Sequence, residues 1–74
     1  MEGDLQLAVG RRVREIRTAR GISQEALAVA VGVHRTYLGG IERGERNLTL
    51  RTVERLAARL GVDVHVLLGA DDQD

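Results

Sequence analysis

Apolar residues recur along the chain at helical intervals. Leu5, Val9, Val13 and Ile16 stand four, four and three positions apart, one stripe of an amphipathic helix over Leu5 to Ala19 whose other face carries Arg11, Arg12 and Arg14. Gly21 stops that helix. Ile22 then links to Ser23, a good N-cap with Glu25 in the first turn of a second helix. Ala26, Leu27 and Ala30 carry the second helix to Gly32, where glycine permits the left-handed conformation that closes a helix. From about Arg35 a third helix runs to Arg43, burying Leu38 and Ile41, and Gly44 ends it.

The last third follows the same grammar. Thr49 is an N-cap with Leu48 before it and Val53 four positions inside, the arrangement of a hydrophobic staple. Val53, Leu56, Ala57 and Leu60 form the stripe of a fourth helix that ends at Gly61. Val62, Asp63 and Leu67 repeat staple, cap and partner for a short fifth helix ending at Gly69. No strand-like alternation of useful length occurs, so the expectation is an all-α fold, a compact bundle of five short helices joined by tight loops. One domain fills residues 1–74, with an acidic tail over 70–74 expected to fray.

Composition narrows the chemistry. At 74 residues and 8.1 kDa there is no room for both a large core and a deep substrate pocket. Cysteine and proline are absent, so no disulfide frame or thiolate cage staples the fold. Tyr37 is the only aromatic residue, which makes the core aliphatic. No cofactor or metal is expected, because His34 and His65 are too isolated for a zinc site, which needs at least three ligands in a recognisable set. An enzyme is the poorest reading, since Ser23 is a helix cap and neither histidine has a carboxylate at a telling spacing. Acidic Glu2 and Asp4 occupy the place of a signal's basic region, and no apolar run nears about 18 residues, so the chain is expected to be cytoplasmic with no membrane partner.

Charge is balanced in total and uneven along the chain. Eleven arginines face eleven acids, a formal net charge of zero. Five of the acids lie in Met1–Asp4 and Asp71–Asp74, so the residues between carry a surplus of five positive charges. The arginines of the first and third helices and the following loop are therefore expected to make a basic face. Every basic residue is arginine, whose guanidinium suits phosphate and guanine edges.

The second helix, the turn at Gly32 and the third helix, about residues 23–43, have the dimensions of a DNA-binding helix-turn-helix. Within them, Gly21-Ile22-Ser23-Gln24-Glu25-Ala26-Leu27-Ala28, Val31-Gly32-Val33, Arg35-Thr36-Tyr37-Leu38 and Ile41-Glu42-Arg43-Gly44 resemble the signature of the Cro/XRE-type helix-turn-helix family. Leu60-Gly61-Val62 is similar to the ending of the family's next helix, so the resemblance covers about residues 7 to 68. It implies a lambda-repressor-like fold. The run from His34 to Leu50 is similar to the recognition segment of restriction–modification controller proteins, small dimeric regulators of about this length. Phage repressors and antitoxins share the scaffold.

Residues acquire roles on that reading. The resemblance implies a phosphate contact for Gln24, helped by the exposed amides at the start of its helix. Arg35 and Thr36 open the third helix, the end that faces base edges, and an arginine there can grip guanine O6 and N7. Tyr37 is open between DNA contact and packing against the second helix. His34 replaces the usual serine or threonine cap and can instead reach a phosphate or base. Arg43, Arg46 and Asn47 follow the third helix, in a loop that approaches the sugar-phosphate backbone in similar proteins. Gly39 and Gly40 each cost about 1 kcal/mol in a helix interior. Close approach to DNA or to a neighbouring helix would offset that, and a helix weak without DNA is the other reading. For Arg17 and Glu42 the resemblance implies an internal ion pair between the first helix and the end of the third.

One recognition helix reads too few base pairs to select a genomic site, which favours a homodimer on a palindromic operator of double-stranded DNA. The C-terminal helices, about 49–68, hold the expected dimer surface. Val62, Val64, Val66, Leu67 and Leu68 offer more apolar area than one short helix buries, so Val62, Val64, His65, Val66 and Leu68 are expected at the interface. The alternative is that the apolar residues close the monomer core, as Leu67 fits as a staple. RNA polymerase is a further candidate partner. The leading reading is a transcription regulator of its own and an endonuclease gene. An antitoxin, a phage-type repressor or a helical protein-interaction adaptor are the alternatives.

Overall fold

Helix punctuation follows from a few side chains. The computed structural model describes residues 3–69, with α1 (Gly3–Ala19), α2 (Gln24–Val31), α3 (Arg35–Glu42), α4 (Leu50–Leu60) and α5 (Val64–Leu68), and no strand among them. Ser23 Oγ accepts from the Ala26 amide at 3.0 Å and Thr49 Oγ1 from the Thr52 amide at 3.2 Å, opening α2 and α4. Asp63 Oδ1 accepts from the His65 amide at 3.0 Å and opens α5. At the other ends, Gly32, Gly61 and Gly69 take φ of 87°, 71° and 84°, a region that a side chain would make costly.

The core is aliphatic throughout. Val9 and Val13 from α1, Leu27 from α2, Leu38 and Ile41 from α3, Val53, Leu56 and Leu60 from α4, and Leu67 from α5 are all 2% exposed or less. Each buried side chain of this size contributes about 1.5–3 kcal/mol, which is how a chain without disulfides holds five short helices. α1 packs against α3, α4 and α5, and α2 against α3 and α4.

The stripe expected for α1 holds at Val9 and Val13, which are fully buried, and at Ile16, half-buried against the core, but not at its first position. Leu5 is 45% exposed, while the neighbouring Gln6 is buried and donates from Nε2 to the Gly44 carbonyl at 3.1 Å. The core-facing line is Gln6, Val9, Val13 and Arg17, polar at both ends, because the turn after α3 supplies Gln6 with an acceptor and Glu42 supplies Arg17 with a counter-charge. Between them lies Gly10, where an added Cβ would land on the Ile41 carbonyl oxygen. A glycine is what lets α1 and α3 come this close.

Candidate nucleic-acid interface

The inward side of α3 is fixed by Leu38 and Ile41, both fully buried. At 100° per residue this turns Thr36, Gly39 and Gly40 to the opposite side. Arg35 and Thr36, in its first turn, are exposed. Together with Gln24, Gly39 and Arg43 they line an open groove of about 200 Å³. The exposed end of α3 thus offers a planar guanidinium, a hydroxyl and an amide in one recess, donors suited to base edges and phosphate oxygens.

A buried charge network holds α3 to the rest of the molecule. Arg17 Nε donates to Glu42 Oε2 at 2.6 Å, Arg17 Nη2 to Glu42 Oε1 at 3.0 Å, and Arg17 Nη1 to the Ile22 carbonyl at 2.8 Å. The carboxylate is gripped in the fork geometry that strengthens such pairs. Gln24 Nε2 donates to Glu42 Oε1 at 2.9 Å. The side chain assigned to a phosphate is therefore already oriented by Glu42, and Arg17, Glu42 and Gln24 tie the starts of α2 and the groove to the end of α1.

Two arginines follow α3. Arg43 Nε donates to Glu45 Oε1 at 3.0 Å in an ion pair whose side chains are more than half exposed, worth at most about 1 kcal/mol and free to rearrange. Arg46 carries its guanidinium carbon 5.6 Å from the centroid of the Tyr37 ring, within cation–π range. The Tyr37 ring is half-buried against the core, and its hydroxyl donates to the Asn47 carbonyl at 3.3 Å. Asn47 is exposed, as is His34, which precedes α3 without forming a side-chain cap bond.

The basic face differs from the expected one. Arg17 is consumed by Glu42, and Arg12 Nη1 points at the Leu67 carbonyl at 3.5 Å beside the end of α5. Arg20 Nη1 lies 3.5 Å from where a side chain on Gly61 would begin, at the end of α4. Cations at helix C-termini meet the negative end of the dipole. Half of the α1 arginines thus serve the fold, and Arg11 and Arg14 stay exposed.

On the C-terminal side, Val62, Val64 and Leu68 are half-buried and packed on the core, Val66 is half-buried, and His65 is exposed with Nδ1 3.1 Å from Asp63 Oδ1. Leu67 is fully buried. The larger exposed apolar side chains lie elsewhere, at Leu5, Leu7, Val29 and Leu50. Among the described residues no group of three or more His, Asp or Glu could hold a metal ion, and no helix is long and apolar enough to cross a membrane.

Sequence reasoning missed Gln6 and Gly10. Gly10 had a legible cue: a glycine inside a helical run, adjacent to a buried stripe position, marks a close backbone approach.

A family model described as helix-turn-helix matches residues 13–67. The chain is 42% identical over 69 residues to Control protein C.BamHI of Bacillus amyloliquefaciens, covering 92% of this chain and 85% of that one. Its fold is similar to the crystal structure of the restriction-modification controller protein C.AhdI from Aeromonas hydrophila, with a TM-score of 0.80 and 45% identity over 84% of this chain and 94% of that one. It is also similar to SinR, the master regulator for biofilm formation, in a crystal structure in complex with DNA: TM-score 0.75, 38% identity, 81% of this chain and 97% of that one.

Proposed function

The chain belongs to the Cro/XRE-type helix-turn-helix family, and from that premise we propose that it is a sequence-specific DNA-binding transcription regulator, the controller of a restriction–modification system. It acts as a homodimer on a palindromic operator and regulates its own gene and that of the endonuclease, its effect being exerted on RNA polymerase at the same promoter. The observation that carries this reading is the recess at the exposed end of α3, where Arg35 and Thr36 stand beside Gln24 and Arg43. α3 enters the major groove with Arg35 on a guanine, worth roughly 1–3 kcal/mol of discrimination per half-site. Gln24, Arg43, Arg46 and Asn47 flank it on phosphates, and His34 and Tyr37 sit at the rim. Val62, Val64, His65, Val66 and Leu68 supply the contact between protomers, which sets the half-site spacing.

Selection of bound duplexes from a random pool tests the reading. The expected result is a palindrome whose half-sites lie about one helical turn apart. Arg35→Ala, with unchanged melting temperature, is expected to lose the preference at one position of each half-site. A pool that returns no enriched sequence would overturn the proposal.

A further inference from the structure

Gly39 and Gly40 stand in the middle of α3, where glycine is the costliest residue after proline. Both lie on the side turned away from Leu38 and Ile41, yet both are buried. What covers them is cationic. A Cβ on Gly40 would stand 2.7 Å from Arg46 Cγ and 3.1 Å from Arg46 Nε, and those of Arg46 are the nearest atoms it would meet. A Cβ on Gly39 would stand 3.2 Å from Arg43 Nη1 and 3.7 Å from the Gln24 amide. Arg46 thus lies across the helix at Gly40 and ends above the Tyr37 ring one turn back.

We infer that Gly40 is a positioning residue for DNA recognition: the missing side chain is a notch that seats the stem of Arg46 on the recognition helix, with Tyr37 as the platform for its guanidinium. The inference rests on the proposed DNA-binding role. A free arginine loses considerable rotamer freedom when it is fixed on a phosphate. Seating it beforehand moves that loss from binding into folding. The opposing explanation for a glycine on this face is that DNA itself comes too close for a methyl group. The two make different predictions, because only the first acts through Arg46.

The experiment is a double-mutant cycle of Gly40→Ala and Arg46→Ala, read on a duplex recovered by selection with the wild-type protein and on a random duplex of the same length. Gly40→Ala is expected to melt within a few degrees of wild type, because the gain in helix propensity is set against the shift forced on the Arg46 stem, whose Cγ the new Cβ would meet at 2.7 Å. It is expected to weaken binding to both duplexes by roughly fivefold to tenfold and to flatten the salt dependence by up to about 1.8, two phosphate contacts per dimer. Added to Arg46→Ala, it should cost less than about twofold more, the coupling expected of one shared interaction. In the free protein, the Arg46 side-chain proton resonances above Tyr37 should be shifted upfield by the ring and return toward their unfolded values in Gly40→Ala. Equal losses in the two backgrounds overturn the inference in favour of direct DNA approach, as does unchanged affinity in Gly40→Ala. A wild-type protein that binds neither duplex overturns the DNA-binding role itself, a result distinct from either of these.

Discussion

Three hydrogen bonds converge on the Glu42 carboxylate, two from Arg17 and one from Gln24. With side-chain exposures of 10% for Arg17 and 2% for Glu42, removing the acid strands a guanidinium away from water. Glu42→Ala is accordingly expected to cost about 3–5 kcal/mol. A domain of this size loses roughly 4–8 °C of melting temperature per kcal/mol, so the variant should melt more than about 10 °C below the parent. Calorimetry at one pH decides it, and a melt at the parent temperature would refute the structural role. At Gly10, propensity and packing oppose each other: alanine gains about 1 kcal/mol of helix propensity. Its Cβ, however, would strike the Ile41 carbonyl, part of the backbone and unable to swing aside. Packing should win, and Gly10→Ala is expected to lower stability by about 1–3 kcal/mol in denaturant titration. The same substitution at Gly40 meets only a side chain. Gln24 marks the limit of sequence reasoning here, because its position at the start of α2 was legible while its partner, 18 residues away, is a product of the fold.

At the scale of elements, the ends of helices were the most legible feature, and the reason is local. Ser23, Thr49 and Asp63 bond amides two or three residues on, and Gly32, Gly61 and Gly69 are placed by backbone conformation alone. The core-facing line of α1 was harder to read. Leu5 is the more apolar of two neighbours, but Gln6 is the one that meets the Gly44 carbonyl, 38 residues away. Hydrophobic type decides orientation only where no distant group is waiting for a polar one. α3 is the weak element by its own sequence, with two interior glycines and a histidine at its N-cap that makes no side-chain bond. His34→Ser should supply the missing acceptor and raise stability by about 1 kcal/mol. The check is a rise in denaturation midpoint at unchanged slope. If His34 also contacts DNA, affinity for the selected duplex falls even as stability rises, separating its two roles.

For the whole molecule, the zero net charge hides a division of labour among arginines. Arg17 neutralises a buried acid, while Arg12 and Arg20 stand at the ends of α5 and α4. Arg35, Arg43 and Arg46 remain on and beside α3 with their guanidinium groups facing outward or seated on its surface. If these three are the cations that each protomer turns toward DNA, non-specific affinity should be modest at physiological salt. If Arg43 and Arg46 each meet one phosphate, a dimer neutralises about four, and log affinity should fall against log salt with a slope near −3.6. Arg43→Ala should flatten that slope by about 1.8, because each protomer loses one contact. Arg20→Ala should leave it unchanged. Titrations of a fluorescent operator duplex between about 50 and 200 mM salt can resolve a change of that size. Should Arg20→Ala flatten the slope as much as Arg43→Ala, the DNA would have to lie against the end of α1 as well, and the interface drawn around α3 would be too small.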